Sequence, residues 1–292
     1  MNIKLGISGI NWVNEDPHLF DNLYSCDTML SEMNRLAFDG TEMSRLFPRD
    51  PKQLKSILDD KKLRLASGWK STLFSDSSVR TEEMNSYREH VDFLKAMGCR
   101  YVITCEIRDL FDEFNPSRVV PLNEQEWNNL VEGLHEAGRY CRDAGMELVY
   151  HFHASTVVES AAEIQRLVDM TDPDLVHLLF DTGHALYGGS DPYELLQQHI
   201  KRVRYVHLKD VRAHILDQVK EEQLQFGQAV AAGVFTVPGD GDIDFKPILQ
   251  ELWQHNYEGW LVIEAEQNPA VAIPYEYALK SKAYIESLLG EA

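Results

Sequence analysis

The sequence predicts an α/β fold, a closed (β/α)8 TIM barrel, and three observations carry the prediction. Eight short strand-like apolar runs alternate with amphipathic helical patterns, the later runs pass straight into imidazole and carboxylate residues, and the longest connections follow strand ends. With 292 residues, 44% hydrophobic and 26% charged, the chain can bury one such core. No Ser/Gly linker, charge block or low-complexity tract divides it, so residues 1–292 are expected to form a single domain. An open doubly wound sheet is the alternative that composition alone allows.

The strand runs are Ile3–Ser8, Ala37–Glu42, Leu63–Gly68, Tyr101–Cys105, Glu147–His153, Val176–Asp181, Val203–Leu208 and Trp260–Glu264. Between them, EEMNSYREHVDFLKAMG and NEQEWNNLVEGLHEAGRYCRDAG repeat apolar residues at helical spacing. Each ends in a glycine, Gly98 or Gly145, that precedes a strand as helix-terminating glycines do. The connections Glu106–Leu122 and Lys209–Asp242 are too long to be simple turns and are expected on the active face, the second as a loop insertion over about 209–242.

Lys and Arg number 28 against 47 Asp and Glu, a formal charge of −19. That charge repels phosphate backbones and anionic lipid, which disfavours nucleic acid and membrane partners and leaves small molecules. The N-terminus lacks a basic flank with an apolar core, and no run of about 18 apolar residues occurs, so a soluble cytoplasmic protein is expected. Cys26, Cys99, Cys105 and Cys141 form no CxxC pair and read as buried reduced thiols.

Alternate residues of a strand share a face. His151 and His153 therefore share one with Val149, while Leu148, Tyr150 and Phe152 turn to the helices. The same parity groups Leu179 with Asp181, Tyr205 with His207 and Lys209, and Val262 with Glu264 and Glu266. Four strands thus turn polar on their inner face at the C-terminal end, the layer of a barrel that is open to ligand. Each signal has a bland reading: Asp181 before Thr-Gly suits a turn or helix cap, and a strand histidine is commonly a hydrogen-bonded core residue. Together Asp181, His207, Glu264 and an imidazole of the fifth strand form a mixed N/O set suited to Mn2+, Co2+, Zn2+ or Fe2+, with Glu266 as the alternative carboxylate. Glu147 lies four residues below His151, about 13 Å at strand rise, and cannot reach the same ion. Gly239–Gly241 reads as a tight turn, because no GK[ST] follows to make it a phosphate loop.

Lys70, Lys209 and Arg212 follow strands near the expected mouth and are candidates for contacting substrate oxygens, against solvated surface as the alternative. Trp12 and Trp69 suit either an apolar wall under a ring substrate or core packing. His184 suits a loop-structuring role or a substrate contact.

The succession DTGH, VHLKDVR, FTVPGDGDIDF and NYEGWLVIEAEQNP resembles the xylose isomerase-like barrels and, within them, the inosose dehydratase family. Similar signatures occur in GINW, in SGWKS and in GTEMSRLFP, whose Glu42 is a further substrate-binding candidate. The resemblance implies metal ligands His151, Asp181, His207 and Glu264, with Mn2+ or Co2+ as the ion, and His151 standing where most of the superfamily has a glutamate. Isomerases and epimerases of the group use two facing glutamates, so His151 points to one-way elimination. The implied reaction is dehydration of a cyclic polyol ketone, 2-keto-myo-inositol, to a cyclohexane-dione in inositol catabolism. His153 and Glu266 are candidate bases beside Glu264, and His184 and His153 candidate proton donors. HFHAST stands where the dehydratases carry a segment resembling HHHMGT, which bears on substrate identity through Ala154 and Ser155. A sugar isomerase or epimerase, or a non-catalytic sugar-binding barrel, is the rival reading; an abasic-site nuclease is disfavoured by charge. A homo-oligomer is compatible with the sequence.

Overall fold

A computed structural model describes residues 3–21, 23–112, 115 and 118–290; positions 113, 114, 116 and 117 of the long segment after the fourth predicted strand lie outside them. The strands are β1 (Ile3–Ile7), β2 (Gly40–Thr41), β3 (Arg64–Leu65), β4 (Trp69–Thr72), β5 (Tyr101–Glu106), β6 (Glu147–His151), β7 (Val176–Asp181), β8 (Val203–Leu208), β9 (Asp210–Val211), β10 (Phe235–Thr236) and β11 (Gly259–Ile263). The helices are α1 (Cys26–Arg35), α2 (Pro51–Asp60), α3 (Arg80–Met97), α4 (Glu124–Asp143), α5 (Ala161–Met170), α6 (Thr182–Tyr187), α7 (Pro192–His199), α8 (Ala213–Glu222), α9 (Phe226–Ala232), α10 (Phe245–Gln254) and α11 (Pro274–Gly290).

One parallel sheet runs in the order β3-β2-β1-β11-β8-β7-β6-β5-β4. Its two ends, β3 and β4, are successive pieces of one run interrupted at Ala66–Gly68, so the sheet closes on itself and the predicted eight-stranded barrel forms. Side chains stitch the interruption: Ser67 Oγ donates to the Tyr101 carbonyl at 2.8 Å and Cys99 Sγ to the Leu65 carbonyl at 3.4 Å. The third strand therefore continues past its predicted end at Gly68, carrying Trp69, Lys70 and Ser71 into strand alternation.

The inner and outer faces follow the parity of the sequence. Ala66, Tyr101, Ile103, Val149, Leu179, Tyr205, Trp260 and Val262 form a separate core inside the barrel. Leu148, Tyr150 and Phe152 join the larger core between sheet and helices. Helix starts are set by capping. Asn123 and Ser160 each close a capping box with a glutamate three residues on, and Asp50 caps α2. Gly98 ends α3 at φ 79, and Gly145 takes φ 77 just beyond the end of α4. The insertion after β8 is itself folded: β9 pairs antiparallel with β10, and α8 and α9 lie between them. Cys99, Cys105 and Cys141 are buried free thiols, whereas Cys26, at the start of α1, is only half-buried.

Candidate metal centre

At the C-terminal ends of the strands a cavity of ≈ 400 Å³ is lined in part by Glu42, Trp69, Ser71, His153, His207, Glu264 and Glu266. Below it sit the groups aimed inward by β6, β7, β8 and β11. Ligand atoms of His151, Asp181, His184 and Glu264 lie within 4.8 Å of one another, as do those of Glu42, His207 and Glu264 and those of His153, His184 and Glu266.

One carboxylate oxygen of Asp181 takes the capping role and the other does not. Its Oδ1 accepts from the His184 amide at 2.9 Å and caps α6, while Oδ2 is buried with no hydrogen-bond partner among the described residues. The Nδ1 of His207 is likewise buried and unpartnered, 3.4 Å from Asp181 Oδ2 and 3.4 Å from Glu264 Oε2. His151 Nε2 stands 3.7 Å from Asp181 Oδ2, and its Nδ1 donates to the Phe152 carbonyl at 2.6 Å, which leaves Nε2 with a free lone pair. With the Nε2 proton of His207 donated to Glu42, loss of its Nδ1 proton leaves a lone pair beside that of Asp181 Oδ2. Two such buried lone pairs around one point are what a cation would satisfy, and the imidazole and carboxylate donors fit a divalent ion.

Burial works against charge throughout the site. It pushes His151 and His184 well below the usual histidine range, and His153 down as well, so all three are neutral lone-pair donors. Burial also opposes a charge on His207, but the Glu264 and Glu42 carboxylates outweigh it and raise that imidazole well above its usual range. Glu264 is held well below the ordinary carboxylate range, since His207 and Lys209 overcome the desolvation that would raise it.

Two sequence candidates stand behind the candidate ligands. Glu42 Oε1 accepts from His207 Nε2 and from Tyr205 Oη, each at 2.8 Å, which fixes the His207 ring. Lys209 is fully buried, and its Nζ lies 2.8 Å from Glu264 Oε1, 2.9 Å from Glu266 Oε2 and 2.8 Å from His184 Nε2. Gly183 makes room for it, because a Cβ there would come within 2.5 Å of Lys209 Cγ.

Three candidates for substrate contact are engaged elsewhere. Trp12 is fully buried and donates its Nε1 to Glu32 at 2.6 Å, the core alternative. Lys70 alternates with the pocket-lining Trp69 and Ser71, so it faces outward and bonds Ser86 on α3 at 3.0 Å. Arg212 bonds Asp240 at 2.7 Å, Thr236 at 2.9 Å and the Gly233 carbonyl at 2.7 Å, and so ties the insertion together. Trp69, by contrast, walls the cavity and meets His151 and His153 edge-on at 5.3 and 5.5 Å.

Several lining residues had no strand pattern to reveal them. Glu15, Ser44 and Arg49 reach the cavity from loops after β1 and β2. Phe226 of α9 covers His153 at 5.2 Å between ring centroids, and Phe235 meets His184 at 5.2 Å. The Gly239–Gly241 turn cannot take phosphate on its amides, since Asp210 Oδ2 already accepts from Gly239 and Gly241 at 3.0 Å each.

The family model described as the xylose isomerase-like TIM barrel matches residues 30–286. The chain is 50% identical to the inosose dehydratase of Geobacillus kaustophilus (strain HTA426), covering 98% of this chain and 94% of that one. It is 43% identical to the inosose dehydratase of Clostridium perfringens (strain 13 / Type A), with 98% and 97% covered. Among solved structures, an L-ribulose 3-epimerase superposes with TM-score 0.72 at 18% identity over 100% of this chain and 95% of that one. The 3-keto-D-glucoside 4-epimerase of E. coli gives 0.71 at 15% identity over 98% and 100%; both likenesses concern the fold.

Proposed function

The chain belongs to the inosose dehydratase family of the xylose isomerase-like TIM barrels, and on that premise we infer that it is a hydro-lyase that removes water from an inosose, 2-keto-myo-inositol, to leave a cyclohexane-dione. The observation that carries this reading is the pair of buried, unpartnered atoms, Asp181 Oδ2 and His207 Nδ1, beneath a cavity lined by His153, Glu264 and Glu266.

His151, Asp181, His207 and Glu264 would hold a divalent ion, with His184 close enough to join or replace one of them. When bound, Mn2+ or Co2+, with Zn2+ and Fe2+ also suited to the donors, supplies Lewis acidity toward the ketone oxygen. Loss of water from a ketone needs removal of the α-proton and departure of the β-hydroxyl with a proton. His153 suits the first task. Its Nδ1 donates to the Ala154 carbonyl at 2.7 Å, so Nε2 keeps its lone pair, and burial keeps the ring neutral. His184 suits the second. Its Nε2 lies 2.8 Å from the buried Lys209 ammonium and 3.8 Å from Glu266 Oε2, so that nitrogen can carry a proton from Lys209 to the leaving hydroxyl. Glu266 can accept the α-proton in place of His153 or relay one to His184. Trp69 offers a flat wall for a ring substrate, and Phe226 and Phe235 exclude water from the histidines.

A histidine at 151 leaves Glu264 without a facing glutamate on β6, which favours elimination over reversible epimerisation. Protein stripped of metal, reloaded with Mn2+ or Co2+ and given 2-keto-myo-inositol should form a product lighter by one water with a dione absorbance. A product of unchanged mass would assign the chain to isomerisation or epimerisation instead.

A further inference from the structure

A second cavity, of ≈ 330 Å³, opens at the opposite, N-terminal end of the barrel. It lies where the sheet wall is interrupted: Arg64 and Leu65 on one side and Cys99, Arg100 and Tyr101 on the other line it, and among the described residues no backbone pairing joins β3 to β5. Its floor is Trp260 and Tyr101 of the inner core, and Gly40 leaves the space for that indole, since a Cβ there would come within 2.8 Å of the Trp260 ring.

The lining reverses the charge of the whole chain. Lys4, Lys55, Arg64 and Arg100 face two acids, Asp59 and Glu258, in a protein of formal charge −19. Arg100 is bonded to Glu147 at 2.7 Å, and Lys4 lies 5.3 Å over the Trp260 ring. Lys55 and Arg64 have no side-chain partner among the described residues. Unneutralised cations around a recess in an acidic protein concentrate field on it and select anions. Guanidinium and ammonium groups together match phosphate oxygens.

We propose that this cavity binds a small phosphate-bearing molecule at a site separate from the metal centre. The site does not depend on the dehydratase reading, and its test does not use that activity.

Calorimetric titration of the full-length protein with glucose 6-phosphate should give saturable binding at one site per chain, absent with glucose and weakened by added salt. Arg64→Glu and Lys55→Glu should each weaken it about tenfold or more, the weight of one charge-assisted bond. Glu258→Gln should tighten it, an effect that misfolding cannot produce. His207→Ala should leave it unchanged. No saturable binding, equal binding of glucose, indifference to Arg64→Glu and Lys55→Glu, or loss in His207→Ala would overturn the proposal.

Discussion

Asp181 Oδ2 and His207 Nδ1 face each other across 3.4 Å, both buried and neither hydrogen-bonded among the described residues. The two atoms come from adjacent strands, where Asp181 pairs in register with His207, so their approach is set by the sheet itself. A buried unsatisfied polar atom costs about 1–3 kcal/mol, which a bound cation would relieve.

Asp181→Ala and His207→Ala should each lose bound metal and at least most of the dehydratase turnover. Metal content by plasma mass spectrometry is the direct readout. Chelation of the wild type should lower its melting temperature, because an ion at about 100 times its Kd stabilises by roughly 2.7 kcal/mol. Full metal content in either variant would remove the residue from the ligand set.

Glu42→Gln tests the support behind His207. A carboxamide oxygen can still accept one bond, but Glu42 Oε1 now serves both His207 Nε2 and Tyr205 Oη. Metal affinity should fall about 10- to 100-fold with the fold intact. A change in KM alone, with affinity unaltered, would make Glu42 a substrate contact after all.

Trp69 and Lys70 form a matched pair on opposite faces of one strand. Trp69→Ala should raise KM by roughly tenfold, the scale of an aromatic contact, while metal content stays constant. Lys70→Ala should change neither measurably, as its partner is Ser86. The reverse pattern would refute the strand register over Trp69–Thr72.

Glu159 provides a pH test away from the ligands. Burial first, with the nearby Glu163 carboxylate adding to it, lifts its carboxyl to about 7 despite a hydrogen bond from Ser155. A carboxyl raised on folding binds its proton more tightly in the native state, so its stabilising effect is complete below the unfolded value and is lost as pH rises toward 7. Glu159→Gln should therefore be more stable than the wild type at pH 8, by about 3 kcal/mol, and the gap should close on acidification. Denaturant melts of both proteins across this range would expose the opposite trend if it exists.

The barrel and its inner face were legible because strand parity is a short-range rule. Val149 with His151, Leu179 with Asp181, Tyr205 with His207 and Val262 with Glu264 needed only the two-residue repeat, and the apolar member of each pair lies in the inner core. Lys70 was misplaced because the third strand resumes after its interruption, and Gly68 resembles a strand end. Arg212 was misplaced, and the two readings of Trp12 stayed open, because their partners, Asp240 and Glu32, are set by tertiary packing that neither residue's neighbours announce. The same limit hid Phe226: a helix inside a long connection carries no local mark of what it will cover.

The bond from His207 to Glu42 spans 165 positions of sequence. A nascent chain emerging amino end first therefore displays Glu42 long before its imidazole partner exists, and the supported centre cannot be assembled until the seventh βα unit has joined the first ones. On the proposed function, premature capture of metal by a half-made barrel would be disfavoured, and occupancy of the finished centre would report that the ring of strands has closed.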